Sequence, residues 1–446
     1  MSSFPVDLLP GLAGSAQWPA ARTILDTLKA KGFAAYIVGG ALRDLISGHP
    51  PGDLDILTDA SPDIVNRLFW GEKPRQVGQN FEVSLINGVE VASFRGDSEG
   101  GTLEADLGMR DFTINSMAWD PSTGLLTDPY GGQDDLRQRL IRFTGNPEDR
   151  INEDPIRMVR ACRFAARYGG EMDGQSQAAI RNRCRELGTG IAGERIRNEM
   201  IKAMAMEKPS LFFTLLHRTG LLSSIFPSLD RCAGLNGGPH HGETVFEHCL
   251  LVGDALPADQ PLLRLAGYLH DTGKFDAVRF KAGQLTFAGH ETHRDALASD
   301  LGQLRFSRRE TDYILALVRA HMRPLTQDST PRAVRRLLAM LADLGLSYRD
   351  FMRMRIADKR GNLAKSPYTL SDIKTRMRKL LDEMHGKNAF TMNDLEITGQ
   401  DICRIMAMPP GPEIGKIKQH LFERVLDTPE LNTRQRLVSM VEEMAR

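Results

Sequence analysis

The stretch Gly39-Gly40-Ala41-Leu42-Arg43-Asp44, followed closely by Gly52-Asp53-Leu54-Asp55-Ile56-Leu57, decides how this chain folds. An apolar run over 33–38 ends at the glycine pair, which predicts a buried strand, a turn and a helix. Asp53 and Asp55 occupy positions i and i+2 of a second predicted strand, so their side chains are expected on one face. Two carboxylates held that close favour a divalent cation between them, because otherwise one must take up a proton.

These residue types predict a nucleoside-triphosphate site. Mg²⁺ prefers oxygen ligands and often bridges carboxylates to substrate phosphates. The Gly39-Gly40 turn lets backbone amides approach a phosphate, and Arg43 adds positive charge. Glu90, on an adjacent predicted hairpin strand, provides a third carboxylate, so two-metal chemistry is the expected mechanism. An Asp-x-Asp motif alone is more often a surface turn, and its spacing from the glycine pair favours the catalytic interpretation.

Around this motif, the periodicity of apolar residues predicts a mixed α/β segment. Helices are expected at 18–32, 41–48 and 61–70, and strands at 33–38, 54–57, 81–86 and 89–95. The last two strands flank Asn87-Gly88, which is a strong hairpin signal. After about residue 145 helical spacing dominates, with helices expected at 154–169, 176–187, 193–206 and 209–218.

Composition excludes several classes of protein. The 446 residues are 41% hydrophobic and 26% charged, which is ordinary for a soluble globular protein. The sequence has no run of 18 apolar residues, and residues 1–15 lack the pattern of a secretory signal. The five cysteines are scattered and form no Cys-x-x-Cys pair, so a reducing cytoplasm is expected rather than a disulfide framework.

The formal net charge of zero is a cancellation between two parts of the chain. Residues 1–150 carry 13 basic and 21 acidic side chains, a net of −8, whereas residues 301–400 carry 19 and 11, a net of +8. An acidic part can hold divalent metals, and a basic part can lie along RNA phosphates. The alternative for the basic residues is a solvated helix face. They are Arg332, Arg335, Arg336, Arg349, Arg353, Arg355, Lys359 and Arg360.

Further motifs follow the first one in a fixed order. They are Arg110-Asp111-Phe112-Thr113-Ile114-Asn115, Asp128-Pro129-Tyr130-Gly131-Gly132-Gln133-Asp134-Asp135-Leu136, Glu153-Asp154-Pro155-Ile156-Arg157, Arg160-Ala161-Cys162-Arg163-Phe164 and Gly193-Glu194-Arg195-Ile196-Arg197-Asn198-Glu199. Together with the opening stretch, this series resembles the class II CCA-adding tRNA nucleotidyltransferases and bacterial poly(A) polymerases of the polymerase-β-like superfamily. The resemblance covers residues 35–200 almost continuously.

The resemblance implies a role for each matching residue. Asp53 and Asp55 would hold Mg²⁺, with Glu90 as the third catalytic carboxylate. Asp111, with Arg110 beside it, would contact the ribose 2′-hydroxyl. On the predicted helix, Asp154 and Arg157 lie three apart and would share a face, where the family selects cytosine and adenine without a template. The implied nucleotide-binding residues are Gly39, Gly40, Arg43, Arg110, Asp111, Asn115, Asp154, Arg157, Arg160 and Arg163.

The implied function is addition of the CCA end to tRNA from CTP and ATP, with release of pyrophosphate. Two departures keep alternatives open. Met109 replaces the first Arg of the family's Arg-Arg-Asp motif, and Arg95 lies only 15 positions before Arg110. Family members that build the full CCA end usually have a longer loop there. Addition of the two cytosines alone is therefore an alternative, and a poly(A) polymerase is another.

A second set of residues lies in the C-terminal half. His248, His270-Asp271-Thr272-Gly273-Lys274, His290, His321 and Asp358 resemble the HD phosphohydrolase domain in their order. Imidazoles and carboxylates from several helices can converge on a second divalent metal. Each histidine alone is more often a core residue than a ligand, and the ordered set favours a metal site. An HD phosphohydrolase acting on RNA ends is thus the alternative function of another class.

The resulting prediction is an α+β chain. A mixed α/β nucleotidyltransferase head is followed by an all-helical neck, an HD-type body and a tail that contacts RNA. The expected domains are 1–145, 146–232, 233–362 and 363–446. The expected partners are tRNA, CTP and ATP, without a membrane.

Overall fold

A computed structural model describes residues 3–77, 83–95, 101–187, 191–238, 242–281, 283–362, 369–386 and 388–445. The chain divides into two compact units. The first comprises Met1–Ala203 and Leu211–Ser224, and the second comprises Met204–Ser210 and Ile225–Arg446. The four predicted domain boundaries remain a prediction within this division. No helix in the described ranges is long and apolar enough to cross a membrane.

The first unit is built on an eight-stranded mixed sheet. Its strands are β1 Ser3–Pro5, β2 Ala35–Val38, β3 Asp55–Thr58, β4 Arg75–Val77, β5 Val83–Ile86, β6 Val89–Ser93, β7 Ala118–Asp120 and β8 Leu125–Thr127. Their order across the sheet is β1-β8-β7-β2-β3-β6-β5-β4. Strands β3 and β6 run parallel, and the other neighbours run antiparallel. The parallel pair brings the beginning of β3 beside the beginning of β6.

Turn chemistry confirms the predicted hairpin between β5 and β6. Asn87 and Gly88 have φ angles of 50° and 84°, and a two-residue hairpin turn with both central φ values positive matches the twist of the strands. The predicted strands at 33–38, 54–57 and 89–95 are confirmed with small shifts of their ends. Residues 81 and 82 of the predicted strand 81–86 lie outside the described residues.

Helices surround this sheet and continue beyond it. They are α1 Leu9–Leu12, α2 Trp18–Ala30, α3 Gly40–Ile46, α4 Pro62–Leu68, α5 Leu103–Gly108, α6 Gly132–Arg137, α7 Pro147–Glu153, α8 Ile156–Tyr168, α9 Gly174–Arg183, α10 Gly193–Met204, α11 Ser210–Arg218 and α12 Leu222–Ile225. Helix α2 buries Ile24, Leu25 and Leu28 in the core that also holds the fully buried Trp119. The predicted helices of this unit are thus confirmed, apart from the start of α8.

The second unit is mostly helical. Its elements are α13 Pro227–Asp230, α14 Val245–Asp254, α15 Pro261–Leu269, α16 Asp295–Gln303, α17 Arg308–Ala320, α18 Pro331–Asp343, α19 Tyr348–Gly361, α20 Leu370–His385, α21 Gly399–Met406, α22 Pro412–Asp427 and α23 Arg434–Ala445. The α+β class is confirmed, with an α/β head and a mostly helical remainder.

Two short sheets add to the predicted all-helical neck and body. In the first unit, β9 Leu140–Ile141 pairs in parallel with β10 Glu171–Met172. In the second, β11 Arg279–Lys281 pairs antiparallel with β12 Gln284–Thr286. Strands of two or three residues are too short to leave a clear alternation of apolar and polar positions, so the periodicity did not indicate them.

Two candidate active sites

Three carboxylates meet at the beginning of β3. Asp55 opens the strand and is the register partner of Glu90 on β6. Asp53 is exposed and precedes the strand, so strand alternation does not place it as predicted. The pKa of Asp55 is raised to about 6, mainly by burial and then by the charge of Glu90, and Asp53 adds to the effect. A cation is therefore favoured beside this carboxylate, because it would stabilise the ionised form.

Gly39 allows two charged side chains to approach the turn before α3. Its φ of 73° is one that a residue with a Cβ rarely adopts. A Cβ there would lie 3.3 Å from Oδ2 of Asp55 and 3.4 Å from a guanidinium nitrogen of Arg110. Gly40 begins α3, and the guanidinium of Arg43 folds back over it. The glycine pair thus places a carboxylate and two guanidinium groups around one turn.

A chain of hydrogen bonds links this turn to α8. Asn115 accepts a hydrogen bond from Arg43 and donates one to Oδ1 of Asp111 at 2.7 Å. Arg160 donates from Nε and Nη2 to Oδ2 of Asp111 at 2.9 and 2.7 Å. Burial alone would raise the pKa of Asp111, but the charge of Arg160 and these hydrogen bonds hold that pKa below its usual value. Asp111 is thus an ionised hydrogen-bond acceptor.

Asp106 forms ion pairs with both Arg95 and Arg110, which lie at the two ends of a short segment. Nε of Arg95 donates to Oδ1 of Asp106 at 2.7 Å, and Nε of Arg110 donates to Oδ2 at 3.3 Å. Burial opposes the shift, but these two guanidinium groups lower the pKa of Asp106. The segment contains α5, while its residues 96–100 lie outside the described residues. Asp106 was missed by the sequence analysis, although its i, i+4 spacing from Arg110 is a recognisable pairing signal.

Asp154 and Arg157 do not share a helix face as predicted. Pro155 separates α7 from α8, because the residue before a proline is disfavoured in helical backbone. Asp154 is accordingly extended, with φ of −159° and ψ of 99°. Its carboxylate accepts two hydrogen bonds from Arg195 at 3.0 and 2.7 Å, whereas Arg157 donates to Glu153. The partner of Asp154 thus comes from the motif at 193–199, to which the sequence analysis assigned no role.

The predicted nucleotide-binding residues largely surround one cavity of about 600 Å³, within the usual size of a small-molecule site. Asp53 and Glu90 lie outside its lining. Arg163 is also outside it, because that side chain is buried and its guanidinium is held by Glu199. The predicted residues that line the cavity are Gly39, Gly40, Arg43, Asp55, Arg110, Asp111, Asn115, Asp154, Arg157 and Arg160.

The second candidate site lies in the second unit, around Asp271. Nε2 of His290 lies 2.9 Å from its Oδ1, and Nε2 of His321 lies 3.4 Å from the same oxygen. Nε2 of His270 and of His248 lie 3.3 and 3.6 Å from Oδ2. Asp358 on α19 is 3.2 Å from Nε2 of His248. The structure thus brings together all six side chains that the sequence predicted for this site.

The hydrogen bonds of the four imidazoles fit a metal centre. Each Nδ1 lies within hydrogen-bond distance of a backbone carbonyl oxygen, namely those of Gly361, Gly267, Phe287 and Val318. When Nδ1 donates there, each Nε2 carries a lone pair that points into the cluster. Nε2 of His270 is buried without a hydrogen-bond partner in the described residues, and Nε2 of His290 and His321 lie 3.2 Å apart. A divalent cation would satisfy these lone pairs.

The described residues contain two groups of three side chains that could hold a metal ion, and the potential ligand atoms within each group lie within 4.8 Å of one another. One is His248, His270 and Asp271, and the other is Asp271, His290 and His321. Burial would raise the pKa of Asp271, but the nearby His270 and Lys274 hold that pKa well below its usual value. Lys274 forms an ion pair with Asp271 at 2.6 Å. A carboxylate kept ionised among imidazoles is suited to bind a divalent metal.

At least four of the eight predicted basic residues are engaged within the second unit. Arg332 and Arg336 both form ion pairs with Asp427. Arg335 pairs with Glu383, and Arg355 donates to the carbonyl oxygen of His321. The excess of positive charge in this stretch therefore overstates what an RNA strand would meet, and RNA contact by the tail stays a prediction.

Three family models match the chain. A poly A polymerase head domain matches residues 35–142, a probable RNA and SrmB-binding site of polymerase A matches residues 171–232, and an HD domain matches residues 240–345. The first two coincide with the carboxylate site and the helices that follow it. The third contains five of the six side chains around Asp271, and Asp358 lies beyond its end.

Curated relatives match over about half of the chain. The CC-adding tRNA nucleotidyltransferase of Halalkalibacterium halodurans is 39% identical over 199 residues, which are 45% of this chain and 52% of that protein. Poly(A) polymerase I of Salmonella typhi is 34% identical over 243 residues, 49% of this chain and 52% of that protein. The chain thus spans about half the length of these relatives.

Solved structures are similar over nearly the whole chain. Among them is the Bacillus stearothermophilus CCA-adding enzyme in complex with CTP, with a TM-score of 0.65 and 26% identity over 96% of this chain and 98% of that one. The carboxylates of the first site lie within the range that matches the head domain, and the four histidines around Asp271 lie within the range that matches the HD domain. The chain thus carries matches to the poly A polymerase head domain and to an HD domain, and it is similar to CCA-adding tRNA nucleotidyltransferases and poly(A) polymerases.

Proposed function

We propose that the first unit adds C and then A residues to the 3′ end of tRNA without a template, using CTP and ATP. The observation that carries this proposal is the pairing of Asp55 with Glu90 beside a cavity lined by guanidinium groups. The similarity to a CCA-adding enzyme over 96% of the chain supports the same activity.

In the proposed reaction the 3′-hydroxyl oxygen of the RNA attacks the α-phosphate and gives up its proton to solvent water, a new P–O bond forms, and the bond to pyrophosphate breaks. Mg²⁺ held by Asp53 and Asp55, with Glu90 as the third carboxylate, would offset the charge that develops on the phosphate. Arg43 and Arg110 lie on the glycine turn, where they can bind phosphate oxygens. In-line transfer of this kind depends mainly on positioning and charge, which these side chains supply.

The other cavity residues are proposed to select the nucleotide. Asp111 is an ionised acceptor for the ribose 2′-hydroxyl, which deoxynucleotides lack. Asp154 offers acceptors and Arg157 offers donors to the edge of the base, so the pair can replace a template. Arg195 holds the Asp154 carboxylate from the side, so we assign it to positioning. Arg160 remains a candidate for the triphosphate, while buried Arg163 would act by holding Glu199.

Addition of nucleotides to a tRNA that lacks its CCA end tests the proposal directly. Wild-type protein is incubated with Mg²⁺ and tRNA that ends at its discriminator base, with CTP, with ATP or with both, and product length is read on a gel. CCA addition predicts two added residues with CTP and three with both nucleotides. Two residues under both conditions would identify a CC-adding enzyme, and long A tracts with ATP alone would identify a poly(A) polymerase. Absence of any incorporation would contradict the nucleotidyltransferase assignment.

The proposed setting is the cytoplasm, with tRNA, CTP and ATP as partners. All five cysteines are free, three of them buried. Free thiols persist in reducing compartments, which is the observation that supports this location.

A second activity is proposed for the second unit, because the Nε2 atoms of four imidazoles lie within 3.6 Å of the Asp271 carboxylate. A divalent metal bound there would supply a water nucleophile at neutral pH. In the proposed hydrolysis, oxygen from water bonds to the phosphorus of an RNA-end phosphate, the ester P–O bond breaks, and the departing oxygen takes the proton.

Metal binding at this site has a test that does not use activity. Mn²⁺ at 100 times its dissociation constant is expected to raise the free energy of unfolding by about 2.7 kcal/mol. Thermal unfolding with and without Mn²⁺ measures the shift, and His270→Ala should remove most of it. Arg137→Ala, an exposed change in the first unit, is the control that should keep it. An equal shift in wild type and His270→Ala would contradict the metal assignment.

A further inference from the structure

The hairpin formed by β11 and β12 presents an unusual surface for a soluble protein. Phe280 at its centre is 76% exposed, although a phenylalanine normally buries most of its ring. Its cross-strand partner Leu285 is half-buried, and the two flanking residues of β11, Arg279 and Lys281, are exposed cations. Because side chains alternate along a strand, Phe280 projects from one face of β11 and its two cationic neighbours project from the other, so the ring and the cations share the edge of the hairpin. Rings that stack bases and cations that pair with phosphates are the groups that bind single-stranded nucleic acid.

The second strand of this hairpin leads into the wall of the metal site. Strand β12 ends at Thr286, and the carbonyl oxygen of the next residue, Phe287, is the partner of Nδ1 of His290 at 2.9 Å. The ammonium group of Lys274 lies 5.4 Å from the centre of the Phe287 ring. The hairpin is thus joined to a metal-ligand candidate through one hydrogen-bonded residue.

One cavity of about 510 Å³ extends from the metal site to the second strand of the hairpin. Its lining includes Asp271, His290 and His321 on the metal side and residues 284–287 on the hairpin side. Three cations, Lys274, Arg355 and Lys359, line it together with the carboxylates of Asp271 and Asp358. A cavity of this size holds about one nucleotide, and a longer strand must continue outside it.

We propose that the β11–β12 hairpin binds a single-stranded RNA 3′ end and presents its terminal phosphate to the Asp271 site. This inference rests on the metal-dependent hydrolysis proposed above and adds the surface that would hold the RNA strand while its end is in the site. One base stacks on Phe280, while Arg279 and Lys281 contact the backbone phosphates where the RNA strand passes over the edge of the hairpin.

Steady-state kinetics with two substrates test the proposal. The probes are hexauridylate with a 3′-phosphate and para-nitrophenyl phosphate, each with Mn²⁺. Phe280→Ala should raise KM for the hexauridylate about tenfold, the loss expected for one stacked base, with little change in kcat. Hydrolysis of para-nitrophenyl phosphate should be unchanged, and Phe280→Trp should restore the KM. Trp70→Ala, which removes another exposed aromatic ring, is the matched control and should behave as wild type.

Photocrosslinking separates failure of the hairpin from failure of the hydrolysis. Hexamers containing 4-thiouridine are crosslinked to the full-length wild-type protein, and the adducts are mapped by mass spectrometry. Adducts within 279–286 support the hairpin even if neither phosphate ester is hydrolysed, a result that would contradict only the hydrolase. Adducts confined to other segments, or a hexauridylate KM that does not depend on Phe280, would overturn the hairpin proposal.

Discussion

At the scale of single residues, the grouping of carboxylates around Asp55 lowers the stability of the fold. Asp55 is largely buried beside Glu90, and its pKa of about 6 shows that its ionised form is costly without a cation. Residues kept for catalysis often lower the stability of the fold in this way. The same side chain is expected to be essential for transfer and dispensable for folding.

Asp55→Asn is therefore expected to separate the two properties. Incorporation of CMP into tRNA should fall by at least about a thousandfold, because the amide cannot replace a charged metal ligand. The midpoint of thermal unfolding without metal should stay the same or rise, because a buried charge is removed. Asp26→Asn, at an exposed position on α2, is the matched control and should keep full activity. A loss of activity accompanied by a lower midpoint would contradict this account.

At the scale of elements, the site around Asp271 depends on two turns whose backbones are in contact. Gly273 lies in the turn Thr272–Lys274, which packs on the turn His290–Thr292. A Cβ at Gly273 would collide with the carbonyl oxygen of His290 and would lie 2.6 Å from that of His293. This contact fixes the distance between Asp271 and His290, which come from elements far apart in the sequence.

Gly273→Ala is expected to lower the free energy of unfolding by about 1–3 kcal/mol, since overpacking forces the two turns apart. It should also weaken the stabilisation by Mn²⁺. For Gly302→Ala we expect the free energy of unfolding to rise instead, because a Cβ there meets nothing within 4 Å and the residue lies in a helix. That change should stabilise the protein by up to about 1 kcal/mol. Urea unfolding of both variants measures the difference, and equal midpoints would show that the turn contact is unimportant.

At the scale of the whole molecule, the zero net charge describes neither unit. The acidic excess of residues 1–150 includes the three predicted catalytic carboxylates, while part of the basic excess of 301–400 is engaged by Asp427 and by a backbone carbonyl oxygen. Net charge by segment therefore does not by itself identify a site for a metal or for RNA. Pairing within the fold decides which charges remain available to a partner.

Burial also divides the cysteines of the whole chain. Burial raises the pKa of Cys162 to about 12, and burial with the charge of Asp271 does the same for Cys232, while the pKa of Cys249 is well above its usual value. Because the thiolate is the reactive form, iodoacetamide at pH 7.5 should modify only Cys184 and Cys403, which are half-buried. Mass spectrometry should count two adducts on the folded protein and five after unfolding. A third adduct forming as fast as the first two would contradict the burial of this core.

The sequence by itself determined the order of the motifs, and with it the resemblance to nucleotidyltransferases, the α/β head and the six side chains that the structure gathers around Asp271. Local signals were sufficient there, because glycine turns, the Asn87-Gly88 hairpin and helical periodicity are set by neighbouring residues. Only the tertiary structure decided which side chains meet. It paired Asp154 with Arg195 across 41 positions and buried Arg163 on Glu199. Long-range contacts depend on packing, and spacing along the chain carries little information about them.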